Sequence, residues 1–314
     1  MLYVLFVIIG VVLVLWGADR MTDGAVALAQ RMNIPQIVIG LTVVAMGTSM
    51  PEFFVSLVSA IKGTPDLAVG NVVGSNIMNT LLIVGVAALV APMIISRETV
   101  KKDIPFAVGS SVLLTLLCLD SDINRVDAAL LTVGFIVFMI YTLRMAKRDL
   151  DSDTNLDEGS NKEYSVLKSV CLVALGLACL VGGSNLFVEG ATQIAAALGV
   201  SEAVIGLTVV AGGTSLPELA TSVVAARKGR SAIAIGNVIG SNVFNILMIL
   251  GVTGLVCPME MEGISLVDFA MMMVSIMLMW LFSSTKLKVE RWEGAWLVIM
   301  MVGYMGWLVW QASY

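Results

Sequence analysis

The sequence predicts an all-α membrane protein: ten transmembrane helices arranged as two inverted five-helix repeats, with the second and seventh helices broken. Three observations lead there. Only 13% of the 314 residues are charged and 58% are hydrophobic, against roughly 25% charged in soluble domains. The apolar residues fill the whole length in runs of about 18–25, each long enough to cross a bilayer as a helix; strand-like alternation is absent, which argues against an outer-membrane barrel. Finally, the second half of the chain repeats the first, Thr48 falling on Thr214 and Glu52 on Glu218.

Breaking the chain at polar or Gly/Pro-rich points gives spans near 2–18, 34–61, 68–92, 103–119, 126–144, 166–186, 200–226, 231–256, 265–283 and 292–312. The first, LYVLFVIIGVVLVLW, lacks a basic leader and a small-residue cleavage site, so it reads as a retained helix. An even count puts both termini on one side. Sixteen of the eighteen Lys and Arg then fall on the opposite face, leaving Lys62 and Arg125 as exceptions. By the positive-inside rule that face is cytoplasmic and both termini lie outside the plasma (inner) membrane. The polar connection at 145–165 joins a first half, 1–144, to a second, 166–314. Its Asp149, Asp151 and Asp153 imitate the opening of an EF-hand, but Thr154 and Ser160 stand where that loop needs glycine and glutamate. It reads as a solvated cytoplasmic linker.

Histidine is absent, which excludes His-ligated zinc and His-based triads. Cys118, Cys171, Cys179 and Cys257 lie in or at the ends of apolar runs without CxxC spacing, the pattern of small buried hydrophobes.

From Val38 to Gly85 the chain aligns without a gap on residues 204–251, a constant shift of 166, with 29 of 48 positions identical. Gly17 and Gly24 likewise match Gly183 and Gly190. A five-helix unit has been duplicated, and because five is odd the copies enter the membrane from opposite sides. Inverted repeats of this kind mark secondary transporters, whose sites form at the midplane where helices are interrupted. A purely architectural duplication would keep apolar packing positions; this one keeps Thr, Ser, Glu and Asn.

Ala45–Phe54 reads AMGTSMPEFF and Ala211–Ala220 reads AGGTSLPELA. Locally, Ser49-Met-Pro-Glu52 looks like a capping box with proline in the first turn, as does Ser215–Glu218. Its apolar flanks place it mid-bilayer, so the helix must break and restart there, freeing carbonyls around Ala45–Thr48. Backbone exposed at that depth is tolerated only inside protein or along a polar cavity. A charged residue at the bilayer centre costs about 2.5–3.5 kcal/mol on insertion scales, and this chain carries two glutamates. Two carboxylates meeting in low dielectric repel unless protonated or bridged by a cation. A cation site follows.

Asn71, Ser75 and Asn79 recur every four residues and form one stripe, as do Asn237, Ser241 and Asn245. Gly70 with Gly74, and Gly236 with Gly240, let neighbouring backbones approach. Asn71, Asn76, Asn237 and Asn242 read as interhelical hydrogen-bond glue; Ser75, Asn79, Ser241 and Asn245, deeper in their spans, are ligand candidates. The inventory is all oxygen, which suits calcium and, in subsets, sodium.

GTSMPE and GTSLPE, followed by GNVVGSNIMN and GNVIGSNVFN, closely resemble the two alpha-repeats of sodium/calcium exchangers of the cation/calcium antiporter superfamily, prokaryotic type. The resemblance spans essentially the whole chain. It implies an antiporter, not an enzyme, exchanging Na+ for Ca2+ by alternating access, the first and sixth helices sliding across the other eight. It also implies that Glu52 and Glu218 share a calcium with the backbone oxygens of Thr48 and Thr214. Sodium sites would use the Ala45 and Ala211 carbonyls, Thr48, Thr214, Ser49, Ser215, Ser75 and Ser241 with the same glutamates. Several relatives carry aspartate where this chain has Asn245, and potassium-dependent members use acidic residues nearby. With Asn79 and Asn245 neutral, no potassium requirement is expected. The partners expected are Ca2+, Na+ and the lipid bilayer, with no nucleic acid and no cofactor beyond the transported ions.

The nearest rival is a proton/calcium antiporter, disfavoured because that branch carries an acidic residue in the helix reading GNVVGSN here. An anion transporter would have Glu52 and Glu218 repelling its substrate. An intramembrane enzyme would need GxGD-type contexts or His or Cys nucleophiles, which are missing.

Overall fold

The computed structural model describes residues 2–151, 164–198, 211–261 and 263–311. The centre of the acidic connection (152–163) and the first part of the expected seventh helix (to 210) lie outside them. Along the chain the helices are α1 (Leu2–Arg31), α2 (Gln36–Thr48), α3 (Met50–Ile61), α4 (Pro65–Val90), α5 (Thr99–Asp120) and α6 (Arg125–Asp151). The second half supplies α7 (Val166–Ala197), α8 (Ala211–Thr214), α9 (Leu216–Arg227), α10 (Ser231–Val256), α11 (Leu266–Lys286) and α12 (Arg291–Gln311). Eight of these are long and apolar enough to cross a membrane, and α2 with α3, bent by 46°, makes a ninth among the described residues. The protein is an integral membrane protein with an all-helical core.

Two helices outrun their expected ends. α1 continues past residue 18 to Arg31, and α7 past 186 to Ala197. The charges that suggested a loop after residue 18 sit on a helix that continues beyond the apolar run. Asp19 and Asp23, one turn apart, both meet Lys228 Nζ, at 2.7 and 2.8 Å, so no break is needed to solvate them.

α1 and α7 pack antiparallel along a seam of glycines. A Cβ added to Gly17 would stand 2.7 Å from the Gly176 carbonyl oxygen, and one added to Gly10 would stand 2.7 Å from that of Gly183. Only glycine permits so close an approach, the usual device where packing must replace the hydrophobic effect between membrane helices. A shift of 166 carries Gly10 onto Gly176 and Gly17 onto Gly183, so the two contacts are one contact seen from either half.

Short antiparallel strand pairs repeat the relation. β1 (Met93–Ile94) pairs with β4 (Lys288–Val289), and β2 (Asp122–Ile123) with β3 (Met259–Glu260). The same shift turns Met93↔Val289 into Met259↔Ile123. Each half thus lends one strand to either corner.

α4 and α10 form the centre. Of their most apolar windows 72% and 94% are buried, against 22–33% for the other spans; the outer helices turn apolar faces such as Leu5, Ile8 and Val12 outward. Gly236 and Gly240 seat α10 against α2, where an added Cβ would come within 2.9 Å of the Ile37 oxygen and 2.6 Å of the Leu41 oxygen. The residues that the same relation would bring to Gly70 and Gly74, 203–207, lie outside the described ones. Of the cysteines only Cys118 is buried; Cys171 is exposed on α7, contrary to the expectation that all four are buried.

Candidate functional site

Ser49 joins α2 to α3 and Ser215 joins α8 to α9, with nearly the same backbone (φ −84°, ψ 7° and φ −87°, ψ 5°). Pro51 and Pro217 follow in the first turn, where a missing N–H costs nothing. The capping boxes are not made, because neither serine side chain caps its own helix. Ser49 Oγ donates instead to Glu218 Oε1 at 2.9 Å, and Ser215 Oγ to Glu52 Oε1 at 3.2 Å. A charge-assisted bond to a buried carboxylate is stronger than a bond to an amide, so each hydroxyl leaves its cap for the other half's glutamate.

Both glutamates are 1% exposed, and Oε2 of each is buried without a hydrogen-bond partner. α4 and α10 hold them from behind. Asn71 Nδ2 donates to the Glu52 carbonyl (3.2 Å) and to Ser56 Oγ (2.9 Å); Asn237 Nδ2 donates to the Glu218 carbonyl (3.3 Å) and to Ser222 Oγ (3.0 Å). Thr48 Oγ1 donates to Asn237 Oδ1 at 3.1 Å. Ser75 Oγ lies 3.4 Å from Ser215 Oγ.

Glu52, Glu218, Ser49, Ser215, Thr48 and Ser75 therefore meet in one cluster. Thr214 faces the Glu52 carboxylate and Thr48 that of Glu218. Ser241 is fully buried and its hydroxyl also faces the Glu218 carboxylate. Asn79 and Asn245, one turn beyond Ser75 and Ser241, mark widened π-helical segments, Asn79–Ile83 and Phe244–Leu250, a distortion frequent at functional sites. Their side-chain oxygens are also buried without partners. Ala211 opens α8, one turn before Ser215.

Of the carbonyls in and around the two breaks, Ala45 O accepts from Ser49 N at 3.0 Å and Gly213 O accepts from Ser184. A carbonyl engaged once keeps a second lone pair that a cation can use. Ser56 and Ser222, absent from the expected set, secure Asn71 and Asn237; their identity at the shift of 166 was the available signal.

Among the described residues no group of three or more His, Cys, Asp or Glu could hold a metal ion. Charge at this site comes from two carboxylates, and the remaining donors are neutral oxygens. That set suits hard cations, and it contains no thiolate or imidazole for a soft one. A mostly apolar cavity of about 430 Å³ reaches Ser215, bounded by Met78, Leu82, Phe187, Leu219 and Met305. On the Lys/Arg-rich face a cavity of about 360 Å³ with a mixed lining opens, its polar groups supplied by Gln30, Asn33, Thr99, Lys102, Asp103 and Tyr141.

The family described as sodium/calcium exchanger protein matches residues 2–144 and 168–310. The chain is 35% identical over 342 residues to the sodium/calcium exchanger MaX1 of Methanosarcina acetivorans, covering 97% of each chain. It is 34% identical over 310 residues to the inner membrane protein YrbG of Escherichia coli, covering 96% of this chain and 94% of that one. Among solved structures, the sodium-calcium exchanger NCX_Mj soaked with Na+ and Sr2+ superposes with a TM-score of 0.85 at 31% identity, over 97% of this chain and 98% of its own.

Proposed function

The chain belongs to the sodium/calcium exchanger protein family, and from that premise we propose that it is a secondary active antiporter moving Ca2+ against Na+ at the cluster around Glu52 and Glu218. Members of the family are transporters rather than enzymes. The observation that carries the reading is the crossed pair of serine–carboxylate bonds, beside which Oε2 of each glutamate stays buried without a hydrogen-bond partner.

Charge accounts for the coupling. One Ca2+ or two Na+ neutralise the two carboxylates, and a third Na+ makes exchange electrogenic. The ligands are shared among Thr48, Thr214, Ser49, Ser215, Ser75, Ser241, Asn79, Asn245 and the carbonyls of Ala45 and Ala211, so calcium and the full sodium load exclude one another. An empty pair of buried carboxylates resists crossing, which suppresses uncoupled leak. With Asn79 and Asn245 neutral, no potassium is required.

The topology proposed is ten helices in two inverted halves, 1–144 and 166–314, joined through 145–165 on the cytoplasmic side, with both termini outside the plasma (inner) membrane. The antiparallel α1–α7 seam and the exchanged strand pairs support it. Alternating access would move α1 and α7 together across the remaining helices.

Sodium-driven calcium uptake in proteoliposomes tests the reading. The parent protein is expected to accumulate Ca2+ on an outward Na+ gradient, while Glu52→Gln and Glu218→Gln do not. Uptake driven by a pH gradient alone would replace sodium by protons in this scheme, and exchange retained in either glutamine variant would overturn it.

A further inference from the structure

We propose that Asn76 and Asn242, outside the ion-binding set above, are positioning residues that lock the amides of Asn245 and Asn79 with their oxygens toward the cation. This rests on the functional reading just given.

The argument starts from a group whose role is fixed. A peptide carbonyl only accepts, and the Asn242 carbonyl oxygen lies 3.3 Å from the Asn76 side chain. Asn76 must therefore turn its NH2 toward it, which leaves Asn76 Oδ1 on the opposite side as an acceptor. The group 3.1 Å from that oxygen is the Asn245 amide, which must present its NH2. The Asn245 oxygen is then directed away, and it is buried with no partner. In the other half Asn79 Nδ2 donates to Asn242 Oδ1 at 3.0 Å, and Asn79 Oδ1 is likewise buried and unpartnered. All four side chains are 1–2% exposed, so water does not compete for these bonds.

An asparagine amide is nearly symmetric in shape but opposite in polarity at its two ends. Turned end for end, Asn79 or Asn245 would aim N–H groups at a cation. Through the Asn242 carbonyl, Asn76 removes that alternative for Asn245, and the bond from Asn79 Nδ2 to Asn242 Oδ1 repeats the arrangement in the other half. The site thereby presents acceptors only, without the further negative charge that aspartate would add.

Asn242→Leu keeps the volume and deletes the acceptor that holds Asn79. Calcium binding to the detergent-purified full chain, measured by titration calorimetry with CaCl2, is expected to weaken about tenfold. Asn79→Asp supplies the control, because a carboxylate has acceptors on both sides and no wrong orientation. In that background Asn242→Leu is expected to change calcium binding less than about twofold. The mirror pair, Asn76→Leu with and without Asn245→Asp, carries the same test if Asn242→Leu does not accumulate. Equal losses in both backgrounds would mean that Asn242 acts through packing alone and would overturn the proposal, as would no loss in the parent background. A parent chain that binds no calcium would instead sink the functional reading, and this inference with it.

Discussion

Ser49 and Glu218 lie 169 residues apart, yet the serine hydroxyl donates to the carboxylate at 2.9 Å across the middle of the protein. Ser215 and Glu52 repeat the bond at 3.2 Å with the halves exchanged. Neither half holds a complete site: each brings a carboxylate and the donor that orients the other's. The internal repeat thus makes a symmetric pair of carboxylates that one copy could not make alone.

Losing either donor should therefore have similar consequences. Ser49→Ala and Ser215→Ala each remove one hydrogen bond to a charged group, worth about 1.5–3 kcal/mol. A cation drawing on the same carboxylate recovers part of that. Each variant is expected to raise the half-saturating calcium concentration for uptake at least tenfold, the two agreeing within about threefold. A large effect at one serine with none at the other would break the equivalence.

Calcium should also stabilise the fold, because the carboxylate oxygens it is proposed to bridge are otherwise buried without a hydrogen-bond partner. A ligand at a hundred times its dissociation constant contributes about 2.7 kcal/mol. Unfolding midpoints in detergent, followed by tryptophan fluorescence, are expected to rise with added CaCl2 and fall with a chelator. In Glu52→Gln the calcium-dependent rise should vanish while the protein itself stays folded.

The glycine seam gives a prediction with an internal control. Gly17→Ala would place a Cβ 2.7 Å from the Gly176 oxygen, forcing α1 and α7 apart; overpacking of this kind costs about 1–3 kcal/mol. Gly109→Ala and Gly303→Ala meet nothing within 4 Å among the described residues and trade glycine for a better helix former, about 1 kcal/mol at most. Thermal unfolding should therefore drop for Gly17→Ala and hold or rise for the other two. Equal behaviour of all three would mean that the seam is not tightly packed.

Much of this was legible in the sequence because duplication labels its own functional positions. Glu52, Ser49, Ser75 and Asn79 stand out once each is seen beside its counterpart in the second half. The break at Ser49 was legible too, since a cap and a proline inside an apolar run have few other uses. Less legible was where the hydroxyls go, because a capping box satisfies local rules and only the opposite half reveals a stronger acceptor. The length of α1 was hidden for a similar reason: Asp19 and Asp23 look like a loop until Lys228, far along the chain in the other half, meets them. Asn76 and Asn242 could be read as polar glue, but spacing alone does not say which end of an amide faces which neighbour.

That lysine yields the last expectation. Lys228 follows α9 directly, and it clasps Asp19 and Asp23 on α1 at 2.7 and 2.8 Å. If α1 moves with α7 during exchange, as proposed, the clasp holds only where these residues face one another and so favours this arrangement over the alternative. The groups are about one-third exposed, and pairs of that kind contribute roughly 0.2–1 kcal/mol, enough for up to about a fivefold shift between two states. Lys228→Ala should therefore change the ratio of apparent calcium affinities measured from the two sides of the membrane by a few-fold, leaving the maximal exchange rate within the same range. Raising ionic strength with a non-transported salt should move the parent protein the same way and Lys228→Ala hardly at all, because screening removes only what the clasp supplies. An affinity ratio unmoved by both treatments would show that α1 and Lys228 stay together through the cycle.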